Sequence, residues 1–250
     1  MIAEPRQARL IGVGPGDPDQ LTLEALRALR EVDYVVVTEK SPDDPLALAR
    51  QHLLAHHGID VPVVAVADPQ RDRSASTDAR SGYQAAVDDW HAARAHAWDE
   101  VLRRHDGVAG FLVWGDPAFY DSTIRVLDRL EDVSYDVIPG ISSLQLLAAR
   151  HRIVLHEVGG PIHITTGRDL IEAIDAGQTN LVVMLNRDLT PLDDPRLDDW
   201  QIWWGANLGT ASEALVSGRL SDVRRELAAA RADAKAAAGW VMDVFVLRRN

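Results

Sequence analysis

Two short segments hold residue types suited to small-molecule chemistry. Trp114-Gly115-Asp116-Pro117 closes the apolar run Val108–Val113, and Pro139-Gly140-Ile141-Ser142-Ser143 closes Tyr135-Asp136-Val137-Ile138. Each reads as strand, tight turn, helix start. Glycine lets a ligand reach bare backbone, and Asp116 or the serines can cap the helix that follows. Two such turns on consecutive strands predict polar caps side by side along one sheet edge, where open α/β sheets take small molecules. A ligand carrying both an ammonium and a carboxylate suits that edge. An acidic side chain would face the cation, and open helix N–H groups the anion. Tyr120 and Asp121 stand on the next turn.

The other candidates are weaker. Gly12-Val13-Gly14-Pro15-Gly16-Asp17-Pro18 has Asp17 where a dinucleotide fingerprint needs its third glycine, and no Gly-Lys-Ser/Thr follows. It reads equally as a glycine-rich turn before a helix. His52 and His56 are four apart on a predicted helix but lack a third ligand, so no metal is expected. His57, His91, His96 and His105 lie among polar helical residues and read as solvated. Ser142 and Ser143 have no Gly-x-Ser-x-Gly elbow, which favours capping or ligand hydrogen bonding over nucleophilic attack. Arg71, Arg73 and Arg80 cluster in the polar stretch 68–81; facing a cleft, their forked guanidinium groups would pair with carboxylates. Trp203 and Trp204 are expected in the core, unless one walls a flat aromatic or macrocyclic ligand.

The elements that must position these residues alternate. Strands at 8–13, 33–38, 61–66, 108–113 and 135–138 are separated by helical patterns at 21–30, 44–57, 83–104 and 122–130. That order favours a mostly parallel sheet with helices on both faces. Beyond about residue 150 the pattern changes. Strands at 161–166, 180–185, 201–204 and 240–247, with an alanine- and arginine-rich helix at 221–238, suggest a mixed sheet. We therefore expect two α/β domains, 1–145 and 146–250.

The 250 residues carry a formal charge of -12, and an acidic field argues against nucleic acid as the main partner. The chain has no cysteine, which removes thiolate nucleophiles, disulfides and zinc-thiolate sites. Charges interrupt every apolar run and the N-terminus lacks a signal-peptide core, so neither a membrane span nor export is expected, and the reading is cytoplasmic.

The set 12–18, 115–120 and 139–143, in this order and spacing, resembles the tetrapyrrole methylase family. The resemblance extends to Leu181-Val182-Val183-Met184-Leu185-Asn186 and to Gly209-Thr210 with Glu213. Segments 68–73, 89–91, 116–125 and 163–168 are similar to one member in particular. The family resemblance implies S-adenosylmethionine as methyl donor, S-adenosylhomocysteine as product, a reduced tetrapyrrole (a precorrin) as acceptor, no metal, and a homodimer of two-domain subunits with the cofactor in the interdomain cleft. It places Pro15 near that cleft, Gly115, Asp116, Pro117, Ser142 and Ser143 at the methionine end, and Met184, Leu185, Trp240 and Val241 beside the adenosine. Asp17, Asp116, Tyr120 and Asp121 are the candidates for proton handling, and Arg71, Arg73 and Arg168 for the acceptor's carboxylates. Members of the family differ in acceptor, from other precorrin ring positions to a protein histidine. A non-catalytic tetrapyrrole or nucleotide binder is the remaining alternative.

Overall fold

Short β-branched and apolar runs form parallel strands, the central ones buried on both faces, as in a helix-covered sheet. In the computed structural model, which describes residues 5–41, 44–70 and 80–249, the first sheet contains β1 (Arg6–Gly12), β2 (Tyr34–Glu39), β3 (Val63–Ala67), β4 (Val108–Val113) and β5 (Val133–Ile138). All its pairings are parallel, in the order β3-β2-β4-β1-β5. Alternate residues of one strand go to opposite faces. Leu10, Val36 and Phe111 pack with α3 (Arg80–Arg104) and α4 (Thr123–Leu127), while Ile11, Val35, Val37 and Leu112 pack with α1 (Leu23–Arg30) and α2 (Pro45–His56).

The second sheet is mixed, as expected. It contains β6 (His163–Thr166), β7 (Asn180–Met184), β8 (Gln201–Ala206), β9 (Ala214–Arg219) and β10 (Asp243–Arg248), in the order β6-β7-β10-β8-β9. Only β6 and β7 pair in parallel. Its core joins Leu181, Val183, Ile202, Trp204 and Phe245 to α6 (Leu170–Asp175) and α7 (Leu220–Ala238). Helix α5 (Ser143–His151) also contacts β8, β9 and β10. The chain divides into two compact units. The first runs to Ile141 without Pro15–Asp17, and the second holds Pro15–Asp17 and everything from Ser142 onward.

Several expectations change. Strands β4 and β5 are not neighbours, because β1 inserts between them. Asp116 caps no helix: a loop runs on to Thr123, where the single-turn α4 begins. Strand β9 and helix α6 were not anticipated from the pattern. His91 is not solvated but only 3% exposed. It belongs to a buried stripe with Ala95, Trp98 and Leu102, spaced at helical period along α3. Trp204 is fully buried, in keeping with the core position expected of it. Among the described residues no helix is long and apolar enough to cross a membrane.

Candidate active site

Parallel pairing brings the carboxyl ends of β1, β4 and β5 to one edge, and the glycines there meet backbone to backbone. A Cβ on Gly12 would lie 2.5 Å from the Gly140 nitrogen, and one on Gly140 would lie 2.2 Å from the Gly115 oxygen. Gly14 and Gly115, with φ of 78° and 71°, exchange main-chain hydrogen bonds of 3.2 and 2.8 Å. Asp116 fastens the corner: Oδ2 accepts from the Gly140 amide at 2.9 Å and Oδ1 from the Ala118 amide at 2.8 Å. This corrects the reading of the turns as bare backbone open to a ligand. The amides of Gly115, Ala118 and Gly140 are used within the protein, and the glycines serve mutual packing.

Other predicted residues stand close by along the chain. Pro117 is buried. Tyr120 is 41% exposed in the left-handed region at φ 53°, an uncommon conformation for a bulky side chain and a marker of local strain. Asp121 accepts the Thr123 amide through Oδ1 at 2.6 Å. Ser142 behaves as expected of a cap. Its hydroxyl accepts the Gln145 amide, and Gln145 Oε1 accepts the Ser142 amide at 2.9 Å, a reciprocal capping box. By helix geometry the amides of Ser143 and Leu144 have no acceptor within α5.

In the second unit, β6 and β7 end where the antiparallel β10 begins and β8 ends, so four connections share one edge. Arg168 follows β6, exposed. Met184 is half-buried at the end of β7, and Leu185 follows it 62% exposed at φ 54°. Trp240 and Val241, both half-buried, precede β10. Pro15–Asp17 packs on the segment after β8; a Cβ on Gly16 would sit 2.6 Å from the Leu208 oxygen. Glu213 ties that segment to α5, accepting from the Gly209 amide at 2.7 Å and pairing with Arg150 at 2.9 Å.

Three supporting residues escaped the sequence reading. Asp243 has a side chain 1% exposed, pairs with Arg231 at 2.9 Å, and accepts the Trp204 indole N–H at 3.1 Å. Arg231 also donates to the Asn186 and Arg187 carbonyls, at 3.2 Å each, and so holds the turn that carries Leu185. Asn207, buried at φ 47°, accepts the Met242 amide at 2.9 Å and donates to the Trp240 carbonyl at 3.3 Å. The visible signal for Asp243 is an acid directly before the apolar run Val244–Leu247.

Cations gather in the first unit at a cavity of about 650 Å3, whose walls include Lys40, Asp44, Arg50, Asp68, Trp90 and Arg94. Arg94 pairs with Asp68 at 2.8 Å and stacks 4.1 Å above the Trp90 ring. Burial holds the Arg50 guanidinium below its ordinary pKa. Burial alone would raise the Asp44 carboxyl, but amide donation from Lys40, Leu46 and Ala47, with the Lys40 charge, keeps it below the usual range. Arg71 and Arg73 lie outside the described residues. Among the described residues no group of three His, Asp or Glu side chains stands ready for a metal, and His56 instead meets Asp19 at 3.1 Å.

The family described as Tetrapyrrole (Corrin/Porphyrin) Methylases matches residues 9–224. The chain is 39% identical to a Sinorhizobium precorrin-6A synthase [deacetylating], over 98% of this chain and 96% of that one. A solved structure described as a cobalamin synthesis related protein (CobF) from Corynebacterium diphtheriae superposes with a TM-score of 0.80 at 35% identity, covering 98% and 99% of the two chains. A uroporphyrin-III C-methyltransferase from Thermus thermophilus, solved with S-adenosylhomocysteine, shares the fold alone: TM-score 0.62 at 20% identity, over 97% and 92% of the chains.

Proposed function

The chain belongs to the tetrapyrrole methylase family, and from that premise we propose that it transfers a methyl group from S-adenosylmethionine to C1 of precorrin-5 with loss of acetate, giving precorrin-6A. The observation that carries this reading is the 39% identity to a precorrin-6A synthase (deacetylating) over almost the whole of both chains.

The residues present fit the donor. Leu185 is held strained and exposed at a strand end, a conformation that persists only where surrounding structure enforces it. With Met184, Trp240 and Val241 it offers an apolar surface to a purine. The first-turn amides of α5 suit a carboxylate. S-adenosylmethionine supplies a methyl group that is already activated, so alignment, worth about 7 to 11 kcal/mol in favourable cases, outweighs acid–base machinery.

The protein's part in methylation is to orient the electron-rich ring carbon and keep water out. Acetate loss requires water to add to the acyl carbon of the two-carbon fragment and the bond from that fragment to the ring to break, the fragment leaving as acetate with the water's oxygen, the bonding pair passing to the ring, and the water's protons to the proton-handling groups. Tyr120 and the Oδ2 oxygen of Asp121 are the proton-handling groups in this reading, with Asp17 as a further candidate. Asp116, whose two oxygens hold main-chain amides, positions the turn. Arg168 and the Arg71–Arg73 segment serve the acceptor's carboxylates. The enzyme works in the cytoplasm as a homodimer, which sedimentation at micromolar concentration checks.

Incubation with precorrin-5 and labelled S-adenosylmethionine tests the proposal. One acetate per methyl transferred supports it; methyl transfer without acetate assigns the chain a different acceptor. No heat from S-adenosylhomocysteine at high micromolar concentration counts against any methyltransferase reading.

A further inference from the structure

The cavity at the carboxyl ends of β2 and β3 holds an arginine without a direct ion pair, Arg50, on which the charges of Asp44 and Asp121 act only from a distance. Arg50 donates Nε to the Leu112 carbonyl and Nη1 to the Leu46 carbonyl, each at 3.1 Å. Both acceptors are neutral, and among the described residues no carboxylate lies within ion-pair distance of this guanidinium. Five N–H donors in a planar fork leave the Nη2 edge for another acceptor.

The nearby acids are already committed. Asp44 accepts the Leu46 amide at 2.9 Å and the Lys40 amide at 3.2 Å. Asp68 is taken by Arg94, which is stacked on Trp90. What remains is Arg50 and the exposed Lys40 ammonium on one cavity, beside the indole of Trp90, whose N–H is held by the Pro69 carbonyl at 3.0 Å. In a chain of net charge -12 the lining still carries Lys40, Arg50 and Arg94 against the carboxylates of Asp44 and Asp68.

We infer that this cavity is a carboxylate-binding subsite, where Arg50 and Lys40 grip a flexible carboxylate arm of the acceptor while Trp90 walls the arm's carbon stem. The inference rests on the tetrapyrrole-acceptor reading for the identity of the ligand. A planar guanidinium fork specifies two coplanar oxygens, and the ammonium adds a point charge without geometric demand.

Titration of the full-length protein with uroporphyrin, which carries eight carboxylates, tests the subsite without turnover; binding is read by quenching of tryptophan fluorescence. Lys40→Ala and Arg50→Lys are each expected to weaken uroporphyrin binding about tenfold, the scale of one charge-assisted hydrogen bond, and to flatten its salt dependence. Their affinity for S-adenosylhomocysteine should be unchanged. Trp90→Phe should lose much of the quenching. Lys40 is exposed, so that variant carries the test should Arg50→Lys fail to fold. Uroporphyrin affinity equal to wild type in Lys40→Ala overturns the subsite, as does absence of any uroporphyrin binding by the wild type. The S-adenosylhomocysteine titration in the same samples reports separately on the methyltransferase reading.

Discussion

At the edge of the first sheet three turns lock backbone against backbone, Gly12 on Gly140 and Gly14 on Gly115, with the Asp116 carboxylate spanning two of them through neutral amides. At the edge of the second sheet side chains join the connections: Asn186 donates to the Asp243 carbonyl at 3.2 Å, and Asn207 accepts the Met242 amide at 2.9 Å and donates to the Trp240 carbonyl at 3.3 Å. There a buried ion pair, Asp243 with Arg231, holds the carbonyls of the turn that exposes Leu185. The first arrangement is closed: its polar groups are used internally and its glycines leave no room for a side chain. The second presents apolar side chains outward on a strained backbone and depends on buried charge for support. The contrast teaches that similar glycine-rich signatures do unlike work. In this chain glycine density marks a corner locked by its own backbone, and the side chains left exposed at the second edge lie among less conspicuous sequence.

The contrast is sharpest at the two carboxylates. Asp243→Ala leaves the Arg231 guanidinium and the Trp204 indole N–H buried without their acceptor. Breaking a buried pair in this way costs about 3 to 5 kcal/mol. Urea denaturation should show that loss, together with weaker S-adenosylhomocysteine binding as the Leu185 turn relaxes. A loss below about 1 kcal/mol would mean that the second edge does not rest on buried charge. Gly140→Ala tests the closed corner. With its new Cβ 2.2 Å from a carbonyl oxygen, the backbone must part, and overpacking of that kind costs about 3 kcal/mol. Unchanged stability would show the corner to be looser than its contacts imply.

Asp116→Ala is the milder test of the same corner. Two amides lose a charged acceptor, and about 2 kcal/mol of stability should go with them. Weakened cofactor binding should accompany that loss in proportion to it, because the residue acts through the turn. A variant of full stability that binds S-adenosylhomocysteine poorly would instead make Asp116 a direct ligand contact.

Much of the architecture was legible because periodicity reports burial. The β4 run is apolar throughout and β2 is apolar from Tyr34 to Val37, as strands covered on both faces must be, and the alternation with helical spacing pointed to the parallel sheet. Strand adjacency was not legible. Nothing local in β4 or β5 states that β1 comes between them, since pairing between distant segments is decided by the whole core. Strand β9 escaped because Ala214–Arg219 lies at a sheet edge and carries glycine and serine, a weak strand pattern. His91 was misread for want of counting forward: positions 91, 95, 98 and 102 form one helical stripe. At the candidate site, Ser142 was readable from the Ser-x-x-Gln spacing of a capping box. Arg50 was not, because its significance lies in a guanidinium bonded to carbonyls rather than to a carboxylate, which only the packed structure displays.

Leu185→Gly separates strain from function with the smallest expected change in stability. A leucine at φ 54° bears a steric cost that glycine avoids, while a side chain left 62% exposed contributes little burial. The substitution should therefore leave the protein as stable as the parent or more stable by about 1 kcal/mol, even after glycine's larger conformational entropy in the unfolded chain. If Leu185 supports the purine, the same variant should bind S-adenosylhomocysteine about tenfold more weakly, the scale expected for losing a buried aliphatic contact. A gain in one property with a loss in the other is what a strained binding residue predicts. Stability gained with affinity intact would assign the strain to turn geometry alone and shift the search for the purine contact to Met184 and Val241.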